Sequence, residues 1–452
     1  MKENNFEKGR TLVIKLDNLA FGGEAVGRKD GFVFFVPGGI PGEKVEIEVT
    51  AVKKSYARCE IIKILERSPQ RVEPSCRLHG ICGGCGLQHI DYEYQLFYKR
   101  TMVEDCIFRI GKLKNVEVLP VIGAKNPWNY RHKVQAPFGR GDEPYLGLFA
   151  RGTHRVIGIE DCPVQQDTNN RVLREVTRLV KEFGWQIYDE KKHEGALRYL
   201  LSRSSKKTGN AQVIIVSSKS RLKGELEFGK ALGRAVPEVN SIWLNYNPAK
   251  GNVVLGDEYH LIAGEEYLEE GLGGIDFWLF PGSFFQVNIN QAEVLVSHVL
   301  SEVLSSGYKR VLDLYCGAGA FSLPVARYVS EVTGVEESIP AIESAERNTR
   351  INNIDNVKFI HGKAEEVIEN LPGKYYDIVI LDPPRKGCDP DVLKSIAKNK
   401  SSEIIYISCN PSTLARDLGI LANKGYGIRK IQPLDMFPHT PHIECIAVLE
   451  HL

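Results

Sequence analysis

The chain has 452 residues, 25% of them charged and 43% hydrophobic, and its formal net charge is +1. Near-neutrality excludes a global basic field for polyanions, so a nucleic-acid surface has to be a local patch, and the length leaves room for two to four domains. No apolar run reaches about 18 residues, and Met1 to Lys8 lacks an apolar signal core, so a cytoplasmic protein with no membrane partner is expected. Ten cysteines in such a chain do not make a disulfide scaffold. Cys76, Cys82 and Cys85 fall inside ten residues, which in a reducing compartment reads first as metal ligation.

Residues 1–67 read as a small domain. Between about residues 9 and 66, five short strands separated by glycine turns predict a closed barrel of the oligonucleotide-binding type. Lys53, Lys54, Arg58, Phe34, Phe35 and Tyr56 would suit an oligonucleotide face. Residues 68–275 read as a central α+β domain. It opens with Cys76, Cys82 and Cys85 among Gly80, Gly83, Gly84 and Gly86, whose freedom lets the backbone wrap an ion or cluster. Cys162, followed by Pro163, is the candidate fourth ligand, and a Cys-Pro pair is familiar in iron–sulfur ligation. Zinc competes, because four thiolates also satisfy it. Helices are predicted at 93–111, a candidate to pack on the last domain, and at 164–184. Asn129 to Lys133, Arg198 and Arg203 are basic enough to line an RNA channel.

Residues 276–452 alternate strand and helix, the pattern of a parallel sheet. Asp313 to Gly319 is a glycine loop after a strand, and Glu336 ends the next strand about 19 residues beyond the first glycine, where an acid binds both ribose hydroxyls. With two glycines and no pyrophosphate fingerprint, the loop favours S-adenosylmethionine over a dinucleotide. Asp382 to Gly387, an Asp-Pro-Pro turn ending a strand, directs an acid at a cofactor or a target base. Tyr406 to Pro411 holds Cys409 at the tip of a buried strand, and Glu444, preceding the terminal strand, can approach it at the sheet edge. A buried hydrophobic cysteine and a structural glutamate are the bland alternatives.

Taken together, Gly83 to His89, Phe284 to Asn288, Asp313 to Gly319, Asp382 to Gly387, Ser408 to Pro411 and His442 to Glu444 resemble the class I RNA uracil-5-methyltransferases. The likeness covers essentially the whole chain, and is to the subgroup with an N-terminal TRAM domain and a 4Fe–4S cluster. The resemblance implies a TRAM barrel, a central iron–sulfur domain and a Rossmann-like methyltransferase domain. Cys76, Cys82, Cys85 and Cys162 would hold the cluster; Gln286, Tyr315, Glu336 and Asp382 would bind S-adenosylmethionine. Cys409 would be the nucleophile and Glu444 the proton acceptor. Ala320 departs from the Asn or Thr common in the family and supplies no side-chain hydrogen bond. The expected partner of this monomer is RNA, 23S rRNA first and a tRNA T-loop second. An amino-methyltransferase is disfavoured because Arg385 stands where its motif needs an aromatic ring, and a non-catalytic RNA-binding protein would leave the last sheet unexplained.

Overall fold

A computed structural model of the protein describes residues 6–307, 309–371 and 375–452. The N-terminal strands β1 (Thr11–Leu19), β2 (Ala25–Lys29), β3 (Phe32–Val36), β4 (Lys44–Val52) and β5 (Tyr56–Glu66) close into a barrel in the order β1-β2-β3-β5-β4. Strict alternation drives the closure: Leu12, Ile14 and Leu16 of β1 and Val45, Ile47 and Val49 of β4 all point inward. The same alternation corrects one expectation. Phe34 is fully buried in the barrel core against Phe6 and Phe32, so it cannot offer its face to a base. Phe35 and Tyr56 meet edge to face at 5.4 Å and stay half-buried on the outside.

Helix α1 (Tyr92–Arg109) follows, capped by the Asp91 side chain. The central domain comprises β6 (Lys133–Gly139), β7 (Tyr145–Phe149), β8 (Val156–Gly158), α2 (Asp167–Glu182), β9 (Leu197–Ser204), β10 (Ala211–Ser217), α3 (Glu225–Ala235), β11 (Val239–Tyr246) and β12 (Glu258–Gly264). Among the described residues its strands form one sheet, β12-β11-β10-β9-β6-β7-β8, and Val172, Val176, Phe228 and Leu232 of α2 and α3 cover it. Arg198 and Arg203 do not line an open channel. Both are buried in β9, Arg198 holding the carbonyls of Asn247, Ala249 and Gly251, and Arg203 that of Ser283.

The hairpin β13 (Leu268–Leu272) and β14 (Ile275–Leu279) buries its apolar residues in the C-terminal core. Then come α4 (Ile289–Ser306), β15 (Arg310–Leu314), α5 (Ser322–Ala326), β16 (Glu331–Glu336), α6 (Ile339–Ile351), β17 (Val357–His361), α7 (Ala364–Asn370), β18 (Ile378–Leu381), α8 (Pro390–Asn399), β19 (Glu403–Ser408), α9 (Pro411–Ala422), β20 (Tyr426–Leu434) and β21 (Glu444–His451). The sheet order among the described residues is β17-β16-β15-β18-β19-β21-β20, with β17 to β19 parallel and β21 inserted antiparallel. Successive side chains feed opposite layers. Leu312, Leu314, Leu381, Ile404 and Tyr406 pack with α8, α9 and α1, whereas Val311, Ile378, Ile380, Ile405 and Ile407 pack with α4 and α5. Cover on both faces explains why these strands read as continuous apolar runs. The order reverses between β15 and β18, which opens a crevice at their carboxyl ends.

Segment 435–443 ties the whole chain together. Lys99 Nζ of α1 donates to Asp435 Oδ1 at 2.6 Å, with both side chains fully buried, and Tyr92 donates to the other oxygen at 2.9 Å. The amides of Gly86 and Leu87 both donate to the His439 carbonyl, and the Tyr130 hydroxyl donates to that of Pro438.

Candidate active site

Strand register brings the two reactive side chains together. Ser408 pairs with Cys445 across the antiparallel β19–β21 ladder, so Cys409, one step on, faces Glu444, one step back. Asn410 stops β19 by capping α9 with its side chain, and Pro411 starts the helix. That turn leaves Cys409 half-buried at the mouth while Glu444 is buried. Asp382 follows β18, the neighbour of β19, and Arg385 lies three residues further on.

The electrostatics are those of three acidic groups and one cation. Burial pushes the Cys409 thiol up, Glu444 and Asp382 add to this, and the nearby Arg385 guanidinium pulls it down. Burial raises the Glu444 carboxyl well above its usual range, Asp382 raises it further and Arg385 opposes both. Burial also lifts Asp382 to about 7. Arg385 was not singled out for the chemistry at the sequence level, because spacing cannot tell which way an exposed arginine turns. Its backbone is fixed here: Asn410 Nδ2 and Thr413 Oγ1 donate to its carbonyl. The loop behind it rests on Asp417, which accepts from the Cys388 amide at 2.9 Å and from the Tyr406 hydroxyl at 2.6 Å. Gly387 (φ +79°) allows this approach, since a Cβ there would stand 2.6 Å from Asp417 and Arg416.

The crevice beside this cluster fits S-adenosylmethionine. After β15 the chain turns sharply through Tyr315 (φ 69°), Gly317 and Gly319, all in the left-handed region. Glu336 is held by the amides of Gly317 (3.1 Å) and Ser338 (2.9 Å). Tyr315, Glu336, Glu337 and Pro384 help to line a recess of about 310 Å³, and small-molecule pockets begin near this size. Asp313, buried beneath, accepts from Ser322 Oγ through one oxygen and has no partner for the other. Burial lifts it to about 7 against the Ser322 bond, with Asp382 and Glu336 adding. Gln286 is half-buried on the loop before α4 and does not line this recess.

The other four cysteines lie apart from it. Cys76, Cys82, Cys85 and Cys162, all unbridged, line one cavity of about 120 Å³ together with Arg131 and Gln88. Burial pushes the Cys85 thiol up to about 12, with Cys162 and Cys82 adding and Arg131 opposing. Among the described residues no three Cys, His, Asp or Glu side chains converge as a single ion requires. Among the described residues Arg131 forms no salt bridge, and its cation at the cavity wall suits the net negative charge a tetrathiolate cluster would carry. A Cβ at Gly83 would stand 2.8 Å from the Phe149 carbonyl, so the loop needs glycine to pass.

A family model described as tRNA (Uracil-5-)-methyltransferase matches residues 260–452, and a TRAM domain model matches residues 5–62. An uncharacterized RNA methyltransferase of Halalkalibacterium halodurans is 40% identical over 98% of this chain and 97% of its own. The chain belongs to the RNA uracil-5-methyltransferase family. A Clostridium tetani relative, also named an uncharacterized RNA methyltransferase, is 39% identical over 100% of this chain and 98% of its own. The crystal structure of Pyrococcus abyssi tRNA (uracil-54, C5)-methyltransferase with S-adenosyl-L-homocysteine is similar with a TM-score of 0.78. It is 32% identical and covers 97% of this chain and 100% of that one. The barrel and the C-terminal sheet described above are therefore the TRAM and methyltransferase units of this family. Among the described residues no helix is long and apolar enough to cross a membrane.

Proposed function

We propose that this uracil-5-methyltransferase methylates carbon 5 of a uridine in 23S rRNA through a covalent Cys409 adduct. The observation that carries the reading is the β19–β21 register, which sets a half-exposed thiol opposite a buried carboxylate at the crevice mouth. Carbon 5 of uracil is a poor nucleophile. Addition of the Cys409 thiolate to carbon 6 leaves an enolate and makes carbon 5 electron-rich, and sulfur suits the task because it both attacks and leaves well. Arg385, whose charge lowers the thiol pKa, favours the thiolate against the burial that opposes it. Bound S-adenosylmethionine supplies the electrophilic methyl group, and the binding residues we assign it are Tyr315, Glu336 and Asp382, with Gln286 on the neighbouring loop before α4. Glu444 then takes the carbon-5 proton, made acidic by the neighbouring carbonyl, and Cys409 departs. The uridine has to leave its stack to reach the thiol, which calls for flipping or a single-stranded loop.

Cys76, Cys82, Cys85 and Cys162 would hold a 4Fe–4S cluster, whose chemistry when bound is ligation of four thiolates without a part in methyl transfer. The reaction moves no electrons, so the role we assign those residues is to fix the 83–89 loop, whose amides grip His439 five residues before Glu444. Anaerobically purified protein should contain about four irons and four sulfides per chain, by elemental and acid-labile sulfide analysis. Stoichiometric zinc without iron would refute the cluster.

The 23S preference is supported by the TRAM barrel and the cysteine quartet together, the features of the subgroup the sequence resembles. A tRNA T-loop uridine is the second reading, favoured by the likeness to the Pyrococcus abyssi enzyme named for uracil 54. Nucleoside mass spectrometry on separated 23S rRNA and tRNA from a strain lacking the protein decides between them. The expected outcome is loss of 5-methyluridine from 23S rRNA alone. Unchanged 5-methyluridine in both would reject the function.

A further inference from the structure

Two cations stand together at the seam between the central sheet and the loop before α4, and the mechanism uses neither. Lys133 of β6 and Arg203 of β9 are direct register partners. Side chains so paired sit roughly 5 Å apart at Cβ, and like charges there destabilise the ladder unless something negative joins them. Among the described residues no acidic side chain forms a salt bridge with either. Lys133 is half-buried and forms no ion pair among the described residues. Arg203 is buried: it donates to the Ser283 carbonyl through Nη2, while Nη1 has no partner. The acid whose field reaches Arg203 is Glu270, and its oxygens are already taken by the amides of Lys206, Lys207 and Gly271. Burial, with Arg203 adding, pulls the Lys133 ammonium down to about 7, and burial pulls Arg203 down to about 10. Only Lys133 feels the repulsion; Glu270 opposes the downward shift of Arg203.

The two residues share a recess of about 10 Å³ with Ser202, Gln212 and Gly282. That is room for roughly one water-sized group. A free metabolite does not fit, but one oxygen of a larger ligand lying on the surface does. Gly282 is exposed, and Phe284, two residues along the same loop, is 72% exposed, so the rim is open to a polymer. RNA carries phosphodiester oxygens at every step, and phosphate contacts are what set a protein's register on nucleic acid.

We infer that Lys133 and Arg203 form a subsite for one non-bridging phosphate oxygen of the RNA, beside the loop 280–288. The inference rests on the proposed RNA methylation and adds a positioning contact to it. A phosphate there would pair with Arg203 Nη1 and relieve the Lys133–Arg203 repulsion. Through the Arg203–Ser283 bond it would also couple RNA docking to the segment carrying Gln286.

The test uses Lys133→Gln, because Lys133 makes no side-chain bond whose loss would disturb folding. Affinity for unmodified 23S rRNA and tRNA transcripts is measured across a KCl series, and affinity for S-adenosylhomocysteine is measured by calorimetry. For the transcript that the wild type methylates, the variant should bind about tenfold more weakly at physiological salt. The slope of log Kd against log salt should fall by about one, while S-adenosylhomocysteine affinity stays unchanged and Lys133→Arg restores the slope. An unchanged slope overturns the subsite. Weakened S-adenosylhomocysteine affinity with an intact RNA slope also overturns it, and reassigns the anion to the methyl donor's carboxylate. If the wild type methylates neither transcript but the slope still falls on one of them, the methylation reading fails and the phosphate site stands.

Discussion

Cys409→Ala abolishes methyl transfer, by at least about 10⁴-fold, and leaves S-adenosylmethionine binding intact. No other sulfur can substitute. Cys445, next to Glu444 on β21, is fully buried in the layer beneath α9, and Cys316 and Cys388 are buried too. Single-turnover transfer from labelled cofactor reads the loss, and equilibrium dialysis reads the retained binding; activity within about tenfold of wild type would end the assignment. The pH profile tests the same group. Its pKa is raised, so the thiolate fraction is below the few per cent of an ordinary cysteine at neutral pH. It grows about tenfold per pH unit until the pKa is reached. Adduct formation should therefore rise with pH through the neutral range. Arg385→Gln removes the one group that lowers this pKa, and should shift the kcat/KM profile to higher pH. An unmoved profile would free Arg385 of that role.

Glu444→Gln should stall the reaction one step later. Glutamine matches the shape of the side chain but cannot take the carbon-5 proton, so the methylated adduct has no route to expel Cys409. Turnover should fall by about 10²- to 10⁴-fold while protein–RNA adduct accumulates. The adduct should survive denaturing electrophoresis, and mass spectrometry should find the nucleotide and its added methyl on the peptide carrying Cys409. Normal turnover without adduct would point to another base. Burial and Asp382 raise the Glu444 pKa, which makes the ionised form a stronger base but a scarcer one. The elimination step should thus also speed up as pH rises, in the same direction as adduct formation.

Much of this architecture was legible because its signals are local. Alternating valines and isoleucines marked the barrel strands, and apolar runs between helices marked a sheet covered on both sides. That Glu444 could approach Cys409 was legible from the strand pattern, but their roles as nucleophile and base came from family resemblance. Their meeting depends on the β19–β21 register, a contact between segments 35 residues apart. Phe34 was misread because composition counts aromatics without their facing, and a one-residue phase decides whether a ring points into a barrel or out of it. Arg198 was misread for a similar reason: charge suggests surface, yet the backbone carbonyls of Asn247, Ala249 and Gly251 claim its guanidinium group. Arg385 sat inside a quoted motif, but its place beside the site depends on Asn410 and Thr413, which hold its backbone carbonyl from the start of α9.

The buried Lys99–Asp435 pair bears on how the protein can be divided. The C-terminal sheet looks like a portable cofactor-binding module, and a natural experiment is to express it alone. Doing so would remove Lys99 and Tyr92 and leave the Asp435 carboxylate without its cation, a loss of the kind that costs roughly 3–5 kcal/mol. It would also strip α1 from over Cys445 and Leu418, baring an apolar layer. The catalytic half therefore borrows part of its interior from the first 110 residues of the chain, and evolution could exchange its RNA-reading modules only by rebuilding the core of the enzyme with them.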